Sequence, residues 1–363
     1  MSTPARVVVL PRETSELRVE ELNLPDPAPN QVVVKQFSSG ICHSQLHQMH
    51  NPRETPVILG HESTGVVLKA GRDVGHVEEG DMVLLTWVPR DVSLGGEPAE
   101  PVRLAVSDGT AVAQNVFTWA DHTICDHQYA VKVDPGIRRD VTAIIGCAVM
   151  TGAGAVINTA KVQPGQSVAV FGVGGVGLSA VVGAKVAGAD PIIAVDLSDE
   201  KLEFARRFGA THGINAATMD PIAAIHELTR GSGFTIRREP VSGVDFAFDC
   251  IGIKTTMEQI IPACRSGHFG ARDGGTGVLV GVPQTTVELN AVDILVNEKH
   301  FIGSIGGSCA PDRDFPTFLK WQADGQLDLD AMVTARYRID EINEATTALE
   351  EGRISGRAIL EFD

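Results

Sequence analysis

Val168-Ala-Val-Phe171-Gly172-Val-Gly174-Gly175-Val176-Gly177 decides the fold. A short, fully apolar run feeds straight into GxGxxG, an apolar segment follows, and Asp196 stands 19 residues beyond the last glycine at the end of Ile192-Ile-Ala-Val-Asp196. A strand, a glycine turn, a helix and a second strand closed by an acid are the context in which this pattern binds a dinucleotide. Gly172 and Gly174 allow a tight turn and close backbone approach to a pyrophosphate, and Gly177 lets helix and sheet pack. Gly175 and Val176 open the helix, whose N–H groups and positive dipole end favour an anion. Asp196 should accept a hydrogen bond from the adenosine ribose 2′-OH and repel a 2′-phosphate. No arginine directly follows it, so NAD is expected over NADP.

Working outward, Asp199 to Phe208 reads as a helix, and Asp220-Pro221 as an N-cap with proline at the first helical position before Ile222 to Leu228. Strands follow at Val244 to Asp249 and Gly277 to Gly281. Alternating strands and helices predict a doubly wound parallel sheet covered on both faces. Before it, Val32 to Lys35, Gly65 to Leu68, Asp81 to Leu85 and Tyr129 to Val133 are short β-branched runs between Gly, Pro and Asp clusters, the pattern of a mostly-β domain. After residue 292 come a strand-like Phe301 to Ile305, a helix near Phe315 to Ala323 and a last strand, Arg357 to Phe362. The expected division is residues 149–291 for the sheet domain, with 1–148 and 292–363 forming the other.

The 363 residues carry 30 basic and 46 acidic side chains, a net charge of −16, with 43% hydrophobic residues. That is globular composition, and the charge repels phosphate polymers and anionic lipid unless a local patch reverses it. No nucleic-acid or membrane partner is expected. The start offers only Val7 to Leu10 as an apolar core, too short for a signal peptide, and Val168 to Ala184 is too glycine-rich to read as a span. Six cysteines without a CxxC pair suit a reducing cytoplasm.

A second constellation joins Cys42-His43-Ser44-Gln45-Leu46-His47, Gly60-His61-Glu62 and Gly146-Cys147. Two thiolates and an imidazole suit zinc, and three protein ligands leave the open position of a catalytic site. Residue types alone do not establish that they converge: cysteines are often inert core residues, and His61 could be a hydrogen-bonded turn histidine.

Taken together, the chain resembles the zinc-dependent medium-chain alcohol dehydrogenases over nearly its whole length. The likeness rests on the three stretches above, with Glu78 to Leu85, Ile145 to Ala155, Phe171 to Gly177, Val280 to Pro283 and Ser355 to Phe362. The resemblance implies a Rossmann domain beside a chaperonin-10-like catalytic domain. It implies Cys42, His61 and Cys147 as ligands of one catalytic zinc, with Glu62 behind the metal. Ser44 would touch the substrate oxygen, and His47 would end a proton relay running through the nicotinamide ribose to solvent. It further implies His43 and Arg357 at the cofactor pyrophosphate, Lys201 near the adenosine ribose, and Thr151 and Val282 among the cofactor contacts. The activity implied is reversible hydride transfer between an alcohol and NAD, in a homodimer paired through Phe301 to Ile305.

The chain departs from the family pattern in three places. Asp91 stands where a cysteine of a structural zinc lobe is expected and no cysteine occurs between Asp91 and Ile124, so no structural zinc is expected. Gln45 replaces the family's usual aspartate behind the zinc-bound histidine. Trp87, Ala113 and Gln114 fall at substrate-pocket positions where relatives carry larger or more apolar residues. Competing readings are a formaldehyde- or thiol-adduct-oxidising dehydrogenase, an enzyme holding NAD so tightly that it needs an external acceptor, and a nucleotide-sensing or structural protein on the same fold.

Overall fold

Six parallel strands build one sheet in the spatial order His212–Asn215, Ile192–Asp196, Val168–Phe171, Phe246–Asp249, Thr276–Leu279, His300–Gly303. In chain order this is 3-2-1-4-5-6, the doubly wound arrangement whose direction reverses between the first and fourth strands. Val168–Phe171 is buried at every position, as a strand covered on both faces must be. Ala169, Phe171, Ile193, Val195, Ile214, Ile225, Ala247 and Ile260 share one core. The helices start where the side chains dictate: Ser198 Oγ accepts from Lys201 N, and Asp220 accepts from Ile222 N and Ala223 N with Pro221 at the first turn.

This computed structural model describes residues 2–91 and 98–363. It divides into two compact units, Val149–Cys309, and Met1–Ala148 with Ala310–Asp363. The second crossing therefore falls at Ala310 rather than near 292. The cause is strand pairing: His300–Gly303 joins the sheet through Thr276↔His300 and Leu279↔Gly303, which keeps residues 292–309 with the parallel unit.

The other unit is mostly β, with a five-stranded and a seven-stranded sheet. The strand Gln31–Ile41 is its spine, pairing with Glu62–Ala70, His122–Asp126 and Arg357–Glu361. The last pairing sets Ala358 opposite Ile41 and so brings the chain's final strand beside Cys42. Helices Pro311–Ala323 and Ile342–Glu350 belong to this unit. Ile342, Ala345 and Leu349 pack on Ile41, Leu46, Met49 and Trp119 beneath the short helix His43–His50. Among the described residues, no helix is long and apolar enough to cross a membrane.

Candidate metal centre and cofactor cradle

Three loops of the β-rich unit deliver the candidate ligands. Cys42 ends the strand Gln31–Ile41 and is the N-cap of His43–His50. His61 follows Gly60, whose φ of 93° and whose missing Cβ, which would lie 2.4 Å from Trp119 N, admit only glycine. Cys147 closes the 3₁₀ turn Val141–Gly146, fixed by Thr86 Oγ1 donating to Gly146 O at 2.7 Å. The ligand atoms of Cys42, His61 and Cys147 all lie within 4.8 Å of one another. A tetrahedral zinc at its usual bond lengths would need ligand separations of roughly 3.5–3.8 Å, inside that limit.

Two further observations fit a cation there. His61 Nε2 is buried without a hydrogen-bond partner, while its Nδ1 lies 2.5 Å from Gln45 Nε2. The Cys42 thiol is held well below its ordinary pKa, first by the hydrogen bond with Cys147 and, against burial, by the charges of Arg357 and His61. Cys147 is pushed up by sharing that bond and by burial. Cys42 and Cys147 would hold a dication as thiolates, their remaining proton being released on binding.

Behind the sulfurs lies a buried ion pair. Glu62 Oε1 meets Arg357 Nη2, and Glu62 Oε2 accepts from Ala148 N at 3.3 Å. Burial raises the Glu62 carboxyl, with Arg357 and His61 opposing. Burial works against the Arg357 charge too, but Glu62, Cys42 and Cys147 hold its pKa above the ordinary value. The side chain of Arg357, expected at the cofactor pyrophosphate, is 6% exposed and pairs with Glu62. Arg357 Nε is buried without a hydrogen-bond partner.

The remaining sequence candidates divide. Ser44 Oγ is buried and unpartnered, and His47 lies one turn further along the same helix, half-buried. His43, by contrast, is exposed. Trp87 stands edge-on to His61, ring centroids 6.5 Å apart. Ala113 is instead packed in the core with Val7, Phe117 and Ile124, and Gln114 is exposed. Their neighbour Asn115 donates to the Trp87 carbonyl at 3.3 Å.

In the parallel unit the glycines differ in their surroundings. Gly172 has φ 83°, and a Cβ on Gly177 would lie 1.8 Å from Gly172 O. A Cβ on Gly174 would meet nothing within 4 Å. Gly174 caps the helix Gly175–Val186 without a side-chain bond, so the first turn at Gly175 and Val176 has no side-chain cap. Asp196 borders the glycine turn, accepting from Val173 N at 3.0 Å and Leu197 N at 2.8 Å. Lys201 lies on the first turn of the next helix, Val282 is half-exposed beyond the strand Thr276–Leu279, and Thr151 Oγ1 is buried without a partner.

Sequence profiles agree with both halves: an alcohol dehydrogenase GroES-like domain matches residues 28–135 and a zinc-binding dehydrogenase domain residues 175–324. The chain is 31% identical to alcohol dehydrogenase class-3 of Cereibacter sphaeroides, covering 100% of both chains. It belongs to the zinc-dependent medium-chain alcohol dehydrogenases. Another relative, the S-(hydroxymethyl)glutathione dehydrogenase of Paracoccus denitrificans, is 31% identical over 95% of this chain and 96% of its own length. Among solved structures, benzyl alcohol dehydrogenase of Acinetobacter calcoaceticus superposes with a TM-score of 0.85 at 29% identity, covering 99% of this chain and 100% of that one. Like its family, this dehydrogenase is an enzyme that uses NAD and a catalytic zinc to interconvert alcohols and carbonyl compounds. The reading as a sensor or structural protein falls away.

Sequence reasoning missed two supports of this dehydrogenase's metal centre. A Cβ on Gly40 would lie 2.3 Å from Glu62 Oε1, so only glycine there leaves room for the carboxylate. Thr118 Oγ1 accepts from Glu62 N at 3.2 Å and pairs with Ser39 Oγ at 2.8 Å. Gly40, two residues before Cys42, was a legible signal; Thr118 had none.

Proposed function

We propose that Cys42, His61 and Cys147 hold one zinc ion, that residues 1–148 and 310–363 form the catalytic domain, and that 149–309 form the NAD domain. The unpartnered His61 Nε2, within 4.8 Å of two buried cysteine sulfurs, carries this reading. When bound, zinc acts as a Lewis acid on the alcohol or carbonyl oxygen, and NAD takes or returns the hydride. Ser44 Oγ, buried and unpartnered, receives the substrate's hydroxyl proton and hands it outward toward His47. Trp87 supplies an aromatic wall beside His61. The open cradle at Gly174 takes the pyrophosphate and Asp196 the ribose diol, which favours NAD over NADP.

We further propose a homodimer without structural zinc, working in the cytoplasm. The strand His300–Gly303 ends its sheet with one side unpaired, beside Leu295 and Ile305, which are 77% and 78% exposed. A two-fold copy would cover such an edge. All six cysteines are free, and none lies between Asp91 and Ile124. Residues 92–97 of that segment lie outside the described structure.

The relative acting on S-(hydroxymethyl)glutathione favours a second substrate class, a thiol–formaldehyde adduct. Metal analysis together with NADH-monitored assays on aliphatic alcohols, benzyl alcohol and S-(hydroxymethyl)glutathione decides between them. One zinc per chain and turnover of plain alcohols with NAD is the expected result. Two zinc ions per chain, full activity after zinc removal, or a preference for NADP would refute the corresponding assignment.

A further inference from the structure

Gln45 touches both halves of the metal centre from inside. It is 1% exposed and sits at the third position of the helix His43–His50. Its Oε1 accepts the backbone N–H of Cys42 at 2.9 Å, closing the capping box that starts the helix. That bond decides the orientation of the amide, because a backbone N–H can only donate. The other end of the amide, Nε2, therefore faces His61 Nδ1.

An amide has one accepting end and one donating end. With Nε2–H donating, Nδ1 of a neutral imidazole must accept, and the ring proton then sits on Nε2. A protonated Nε2 has no lone pair for a cation. Coordination through Nε2 needs the proton on Nδ1, where it requires an acceptor. Gln45 can become that acceptor only by reversing its amide, which sets a donor against the Cys42 N–H and opens the capping box. Reversal would leave the buried Cys42 N–H unsatisfied.

We propose that Gln45 is a positioning residue that sets the tautomer of His61 and thereby loosens this centre's hold on its metal, zinc capture being coupled to reversal of the Gln45 amide. The proposal rests on the reading that Cys42, His61 and Cys147 hold zinc. The side chain is a compromise between two neighbours with opposite needs, a helix cap that wants an acceptor and a ligand histidine that wants another. An isosteric carboxylate would satisfy both at once.

The test is Gln45→Glu, which keeps length and shape while offering two accepting oxygens. Zinc distribution between the full-length enzyme and a chromophoric chelator is measured at one pH for wild type and variant. The variant should hold zinc about 10–100-fold more tightly, the usual range for partners of ligand histidines. An unchanged affinity overturns the proposal. Added charge alone could tighten the site, so a second measurement needs no substitution. In selectively ¹⁵N-histidine-labelled wild type treated with chelator, the His61 proton should reside on Nε2 and move to Nδ1 on zinc loading. A proton already on Nδ1 before loading overturns the proposal even if the variant fails to fold. If wild type takes up no zinc, or Cys147→Ser takes up as much, the ligand assignment itself fails, an outcome distinct from either of these.

Discussion

The two functional regions of this dehydrogenase are built on opposite plans. The cofactor cradle is one contiguous stretch, Val168 to Gly177, completed by Asp196 on the neighbouring strand. Its parts are glycines, and their fitness lies in what they lack: space at Gly174, and contact at Gly177 that a Cβ would destroy. The metal centre gathers Cys42, His61, Cys147 and Arg357 from loops and strands far apart in sequence, and its fitness lies in charges held against one another inside a β-rich core. The cradle is therefore vulnerable to added volume, the metal centre to lost charge.

The largest effect should come from removing a ligand. Cys147→Ser deletes a thiolate, and zinc content and turnover should vanish together, by more than the roughly 100-fold that a supporting residue costs. Retained zinc with activity lost would separate the cysteine from the metal. Next in size is Glu62→Gln, which leaves Arg357 buried without its carboxylate partner. Breaking a buried pair from one side costs about 3–5 kcal/mol, so thermal unfolding should move down by at least about 6 °C. A shift of only a degree or two would mean that Cys42 and Cys147 suffice to balance Arg357, and the contrast between charge-built and shape-built regions would weaken.

Two alanines test the cradle. Gly177→Ala drives a methyl into Gly172 O and should cost about 1–3 kcal/mol of stability before any cofactor is added. Gly174→Ala, where the space is open and φ is −73°, should unfold like wild type yet bind NAD at least tenfold more weakly. Equal loss of stability in both would deny that the space at Gly174 is kept for a ligand.

The same contrast explains what could be read in advance. The cradle was legible because its signals stand at short fixed offsets and each residue acts through the local backbone; the strands Val168–Phe171 and Ile192–Asp196 and the helix Asp199–Phe208 lie where the apolar pattern put them. The proposed metal ligands were legible as chemical types, but their meeting depends on antiparallel pairings such as Ser39↔Ser63, whose register no short window contains. Arg357 shows the cost: residue type says that it needs an anion, and only the pairing of its strand says that the anion is Glu62. The boundary at 292 failed similarly, since His300–Gly303 reads as a strand in either unit until its neighbour is known.

The smallest effect concerns how the β-rich unit holds the turn that delivers Cys147. Asp140 precedes that turn and receives Arg138 through Nε at 3.0 Å and Nη2 at 2.7 Å, with Arg336 Nη1 at 3.1 Å. Burial opposes its ionisation, yet the Arg138 hydrogen bonds prevail and lower its pKa from 3.8 to about 2. The folded state thus binds the proton less readily than the unfolded chain, so the stabilisation is complete above about pH 4 and disappears as pH falls through about 2. Side chains exposed by 25% at Asp140 and 52% at Arg138 leave the pair partly screened, so its worth is about 1 kcal/mol. Asp140→Asn should therefore lower the unfolding temperature by about 2–4 °C at pH 7, and the two proteins should converge by about pH 2. A gap of equal size at both pH values would assign the loss to packing or to the backbone of the turn, and the charge of Asp140 would then have no part in supporting Cys147.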